Sequence, residues 1–289
     1  MSKKLIYIFF LLIFSLIKPQ LSYSAGDTPC SVVNNAITTN PSLGWSTDCA
    51  TQPTIQRVIF LKAALCKASS LAFPTTSSAI DTSSCTTIWQ NPAGESVDIK
   101  LGTDVSLGGN DGITIPDAGT YPILYLEMKP YFGVSVSKKF AQPMRDTSGN
   151  AAGGGRVFCR SLELQIYNYK NTTPTASLCS SAEGVPGVTT EYFNSLGDQG
   201  GIPDPTYVDG NLKAALVTSA GKLIPTPTLN TAGTEDRLVA WFAQDTKVNS
   251  NTTGFSVGFG NALGSSVELE NLWVKSFGAG PFKINVTPN

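Results

Sequence analysis

Residues 116–128 read PDAGTYPILYLEM. Pro116, Asp117 and Gly119 are turn formers, and beyond Tyr121 the side chains alternate. Ile123, Tyr125 and Glu127 fall on one face, and Leu124, Leu126 and Met128 on the other. A turn feeding a two-residue period predicts a strand. The same habit recurs outward from it. Residues 54–65 (TIQRVIFLKAAL) are β-branched and apolar on both faces, as a central strand covered on two sides would be. Phe132, Val134 and Val136 alternate with Gly133, Ser135 and Ser137, which predicts one buried face. Leu162, Leu164 and Ile166 alternate with Glu163, Gln165 and Tyr167, and Phe255, Val257 and Phe259 with Ser256 and Gly258. Asn91-Pro92-Ala93-Gly94, between residues 86–89 and 96–101, predicts a hairpin turn. Further strands are expected within 207–217, 238–242, 267–274 and 282–286. Helical recurrence with capping residues is nearly absent. The expectation is an all-β chain of roughly ten to thirteen short strands, in one elaborate β-sandwich or two.

The opening stretch has a further reading. Asp117-Ala118-Gly119-Thr120-Tyr121 resembles the D-A-G-x-Y segment of immunoglobulin-like domains. In those domains the tyrosine forms a corner pinning the turn that enters a late strand. The resemblance implies Greek-key architecture with Asp117, Gly119 and Tyr121 at the corner. It departs at Ile123, which stands where that family has its second cysteine, so the family's core disulfide is not implied.

The first residues carry an address. Lys3 and Lys4 precede an apolar run from Leu5 to Ile17, then Pro19 and the small residues Ser22, Ser24 and Ala25. This is the three-part pattern of a secretory signal peptide, cleaved after Ser24. The run of about 13 residues is shorter than the roughly 20 that span a bilayer. Residues 1–24 are therefore expected to be removed, leaving no transmembrane anchor. The glycine run 153–155 suggests a division into an N-terminal β-sandwich part, 25–150, and a C-terminal β-rich part, 156–289, within one sandwich or two. The expected location is secreted, extracellular or cell-surface, with the periplasm as an alternative.

All six cysteines lie beyond the leader: Cys30, Cys49, Cys66, Cys85, Cys159 and Cys179. An even count in an exported chain reads as disulfides. Six cysteines allow 15 connectivities. The separations within 30/49, 66/85 and 159/179 are nearly equal, which favours three sequential loops, each stabilising by roughly 3 kcal/mol.

Composition removes many chemistries. The chain has 289 residues and no histidine, so Ser-His-Asp and Cys-His catalysis and histidine metal sites are excluded. Charged residues are 14%, and Lys+Arg (20) nearly equals Asp+Glu (21). That balance lacks the basic footprint of a nucleic-acid binder. Gly254-Phe255-Ser256-Val257-Gly258 fits GxSxG in letters, yet it alternates as a strand and has no histidine partner. Carboxylates remain: Glu127 beside Tyr125, and Glu268 with Glu270 near Trp273. Asp198, Asp204 and Asp209 share a polar Gly/Pro-rich stretch and are candidates for Ca²⁺. No other cofactor is expected. Trp45, in a polar segment, is the aromatic best suited to face a ligand.

No catalytic set emerges. The expectation is a non-catalytic secreted structural or adhesive protein of the cell surface, of the kind that builds filaments or surface layers. Its expected partners are itself, other surface components and glycans. An extracellular carbohydrate- or ligand-binding module is the alternative, and a carboxylate-dependent secreted glycoside hydrolase the second alternative.

Overall fold

The structure is a computed structural model that describes residues 28–39, 46–100, 102–107, 112–166, 177–193, 195–199, 202–225, 236–259, 264–279 and 284–289. The leader 1–24 and Trp45 lie outside the described residues. Among the described residues there is no helix, and the fold is all-β. In chain order the strands are β1 (Val32–Val33), β2 (Ala36–Ile37), β3 (Ser46–Thr51), β4 (Ile55–Cys66), β5 (Cys85–Ile99), β6 (Asp104–Ser106) and β7 (Gly119–Ser135). Then come β8 (Ser137–Lys139), β9 (Phe158–Ser161), β10 (Leu164–Ile166), β11 (Ser177–Ser180), β12 (Val188–Tyr192), β13 (Gly197–Gln199) and β14 (Ile202–Asp204). The last are β15 (Thr206–Asp209), β16 (Leu212–Val217), β17 (Arg237–Val248), β18 (Phe255–Phe259), β19 (Ser265–Glu270), β20 (Trp273–Ala279) and β21 (Ile284–Pro288).

Strand β7 organises the molecule. It opens on the quoted turn and runs 17 residues. One edge pairs antiparallel with β4, whose other edge pairs with β5. The opposite edge is shared: Gly119 to Met128 pair with β17, and Tyr131 to Ser135 with β12. Pro130 sits at the seam. Proline offers no N–H, so within a sheet it belongs at edges or irregularities. Here the β17 partnership has ended, the β12 partnership has not begun, and β4 shifts register between Val58 and Phe60. Through β17 the sheet continues to β16 and β15, and through β12 to β10 in parallel. Strands from 25–150 and from 156–289 thus share one eight-stranded sheet.

The inner face of this sheet, with Val58, Phe60, Leu124, Leu126, Met128 and Phe132, is buried in one core with Phe255 and Val257 of β18 and Ile284 and Val286 of β21. Strands β6, β18 and β21 form their own three-stranded sheet. Farther along β7, Val134 joins a second core, which also holds Val136 and Phe140. There Val267, Leu269, Val274 and Phe277 come from the sheet β3-β19-β20, and Cys159 and Cys179 from the sheet β8-β9-β11. Gln56, 4% exposed, donates its amide to the Gly264 carbonyl at 2.7 Å and ties the main sheet to this part.

Three disulfides join Cys30 to Cys49, Cys66 to Cys85 and Cys159 to Cys179, the sequential pattern that the equal spacings favoured. Two of them link residues directly opposed across strands, β4 to β5 and β9 to β11. The Cys66–Cys85 loop lies on the outer face of the main sheet. Its Leu71 and Phe73 pack with Ala64, Ile123, Tyr125, Val239 and Trp241.

Several local expectations are corrected. Asn91-Pro92-Ala93-Gly94 does turn, with Ala93 N–H donating to Asn91 Oδ1 at 3.1 Å and Gly94 at φ 89°. It is no hairpin, however, because β5 runs straight through. Gln90 pairs with Lys62 and Glu95 with Phe60, so the four residues loop out as a wide bulge opposite Leu61. The segment from Phe132 to Val136 is buried on both faces, because β7 crosses from one core into the next while Val188 and Arg57 close over Gly133. Residues 207–217 and 267–274 are each two strands. They turn at Gly210, φ 53°, and at Asn271, φ 54°, both in the left-handed region that Gly and Asn tolerate. The polar stretch 180–205 contributes β12, β13 and β14.

Candidate functional site

The outer face of β7 has two halves. In the first, Ile123 and Tyr125 lie under the Cys66–Cys85 loop. At its margin stands Glu127, 8% exposed. Arg237 Nη1 donates to Glu127 Oε2 at 2.7 Å, Lys62 Nζ lies 3.5 Å from Oε1, and the Tyr125 hydroxyl donates to Oε1 at 3.2 Å. Glu127, Lys62 and Arg237 come from three adjacent strands, and the ladder brings them together because Lys62 and Val239 both pair with Glu127. Burial, together with the neighbouring carboxylate, pushes the Tyr125 phenol well above its ordinary range, so it stays protonated and donating. Glu127 therefore has two cations and a donor already in place.

Beyond Glu127 the outer face opens into a groove of about 540 Å³. Arg57 and Ile59 of β4, Tyr131 and Gly133 of β7, and Val188 and Thr190 of β12 line it. Lys129, Ser96 and Glu163 complete the rim. Register sets the layout: Thr190 pairs with Gly133, Gly133 with Arg57 and Arg57 with Asp98. Gly133 is required, since a Cβ there would stand 2.7 Å from Val188 Cγ1 and 2.9 Å from Arg57 Cβ. Arg57 grips Asp98 in a fork, Nε to Oδ1 at 2.6 Å and Nη2 to Oδ2 at 2.8 Å. That pair, with Glu163 adding to it, holds the guanidinium pKa above its ordinary value. The Tyr131 and Tyr192 rings sit 5.0 Å apart at 57°.

Other candidate residues are placed as follows. Glu268 and Glu270 share Lys275, at 3.7 and 2.7 Å, and Ser276 donates to Glu268 at 3.1 Å. The Glu270 bond, followed by the charges of both acids, raises the Lys275 pKa. Arg145 and Lys275 lie over the Trp273 ring, 4.4 and 5.2 Å from its centroid. Ser256 lies on β18 and donates to Asn289 Oδ1 at 3.0 Å. Asp198 pairs across a short hairpin with Pro203, and Asp204 with Gly197, while Asp209 ends β15. Asp204 Oδ1 accepts from Thr206 N–H and Oγ1–H at 2.8 and 2.7 Å, an Asx turn. No group of three His, Cys, Asp or Glu side chains converges among the described residues. The Tyr121 side chain is buried and its hydroxyl donates to the Asp117 carbonyl at 2.9 Å, four residues upstream. No helix among the described residues is long and apolar enough to cross a membrane.

Sequence reasoning found Tyr125 and Glu127 on one face but missed the groove. Part of the signal was there: Lys129 and Tyr131 are polar positions between Met128, Pro130 and Phe132, whereas Thr190 sits between Thr189 and Glu191 and gave none. No family model, curated protein or solved structure matches the chain.

Proposed function

We propose that this is a non-catalytic secreted structural or adhesive protein of the cell surface, of the kind that assembles into filaments or surface layers. The observation that carries the reading is the state of the acids suited to catalysis. Glu127 is fixed between Lys62 and Arg237, and Glu268 and Glu270 close on Lys275, so each carboxylate ties strands together. A general acid or nucleophile must come within reach of a substrate, and these three carboxylates already have protein partners. Three local disulfides fit an oxidising compartment. The bond from Tyr121 to Asp117 supports a sandwich with an immunoglobulin-like corner. The leader motif supports export, and sequencing of the mature N-terminus is expected to begin at Ala25. Electron microscopy of the cell surface and of concentrated purified protein tests the assembly. Ordered fibres or arrays are expected, and monodisperse monomers at every concentration would overturn it.

A further inference from the structure

We infer that the groove on the outer face of β4, β7 and β12 binds a neutral oligosaccharide. It gives the adhesive side of the reading above its chemistry and relies on that reading only for export.

The groove is large enough for a ligand of moderate size. Its volume of about 540 Å³ falls within the usual range for small-molecule sites. It crosses four strands, β5 through β12, which at the normal strand spacing makes a trough roughly 14 Å wide. The neighbouring half of this face is covered by the Cys66–Cys85 loop, whereas Ser96 is exposed and Arg57, Ile59 and Tyr131 are only half-buried.

Its chemistry selects among ligands. Arg57 and Lys129 face Asp98 and Glu163, two charges of each sign, so neither an anion nor a cation is favoured. The Arg57–Asp98 fork is a fixed planar group. Its two bonds occupy Nε and one Nη2 proton, so three of five guanidinium protons remain for donation, beside carboxylate lone pairs that accept. Vicinal hydroxyls, each donor and acceptor, complement such a group. Thr190 and Ser96 add hydroxyls of the same dual character on either side. The Tyr131–Tyr192 pair supplies what a sugar's C–H faces need: an apolar, rigid surface with a polar tip. Ile59 and Val188 are the apolar side chains between these groups. An extended peptide would need free strand edges, and this site is a sheet face whose backbone is already paired.

The test is calorimetric titration of the exported, disulfide-bonded protein with maltohexaose, laminarihexaose, cellohexaose and chitohexaose. A sulfated oligosaccharide and an oligouronate serve as charged counterparts. At least one neutral hexaose is expected to bind saturably and more tightly than either charged oligomer. Ser96→Trp, an exposed position on the rim, fills the trough and is expected to weaken that binding about tenfold or more with an unchanged melting temperature. Should that variant fail to fold, Tyr131→Ala replaces it, with Tyr131→Phe expected to keep most of the affinity. No binding by any neutral hexaose, preference for a charged oligomer, or undiminished binding by the folded blocking variant would each overturn the inference. Assembly is scored by microscopy on the same preparations: fibres without hexaose binding remove the groove assignment alone, and binding without fibres removes the assembly reading alone.

Discussion

On the outer face of β7, Glu127 is a buried carboxylate held by Lys62, Arg237 and Tyr125. Glu127→Gln would leave Lys62 and Arg237 beside an uncharged amide. Breaking a fully buried pair costs about 3–5 kcal/mol. Here the Arg237 side chain is 38% exposed, so solvent screens part of the loss and about 2 kcal/mol is expected. Urea unfolding measures it, and a change below about 0.5 kcal/mol would mean the trio is ornamental. Tyr125 makes a pH prediction. Its folded pKa is raised, so above about pH 10 the unfolded chain loses this proton while the folded protein keeps it. The unfolded state then binds fewer protons, and stability falls with rising pH by up to about 1.4 kcal/mol per pH unit. Tyr125→Phe removes that contribution. The wild-type advantage over the variant should therefore shrink between about pH 9 and pH 11, and an equal advantage at both would refute it. Tyr121→Phe deletes the bond to Asp117 and is expected to cost about 1 kcal/mol by the same unfolding assay. The pairing of Tyr125 with Glu127 could be read from strand alternation. Arg237 could not, since it lies 110 residues away in sequence and only the registers of β7 and β17 bring it near.

At the level of elements, legibility followed covering. Residues 54–65 read as a central strand, and β4 does have partners on both edges, but only its second half is covered on both faces, since Arg57 and Ile59 line the open groove. The Asn91–Gly94 turn misled because turn chemistry is local, whereas the choice between hairpin and bulge belongs to the partner strand. β4 continues past the turn, so β5 must continue too. Strand β12 escaped notice inside a polar stretch because its burial comes from distant segments: Val188 lies over Gly133, and Thr189 donates to the Leu162 carbonyl at 2.8 Å. The equal cysteine spacings were legible because each loop closes between adjacent antiparallel strands or an arm folded on one. The Cys66–Cys85 loop does more than restrict the unfolded chain. It lays Phe73 on Trp241, with ring centroids 4.9 Å apart, and covers the apolar outer face. Replacing both cysteines by alanine is expected to cost about 3 kcal/mol in loop entropy. Loosening of the cover should also shift Trp241 emission to longer wavelength. A stability loss without a spectral shift would mean the loop packs without its tether.

At the scale of the whole molecule, the question is whether two cores make two folding units. The first core lies between the main sheet and β6, β18 and β21, and the second gathers β3, β19, β20 and the β8-β9-β11 sheet. Strand β7 belongs to both: Leu124 to Phe132 feed the first, and Val134 the second. A continuous strand transmits register, so loss of one core frees the edge that holds the other. Gln56 to Gly264 adds a buried polar link across the junction, and such a group is costly to leave unpaired. Against this stands the seam at Pro130, where β7 exchanges one partner for another. The unbroken β7 backbone and the Gln56 link both bridge that seam, and one cooperative transition is expected. Trp241 lies on the β17 side, packed against the outer face, and Trp273 opens β20 beside the second core. Variants keeping one of these as the sole tryptophan should melt with the same midpoint in denaturant, and circular dichroism should follow the same curve. Separated midpoints, with Trp273 released first, would make Pro130 a boundary between two folding units.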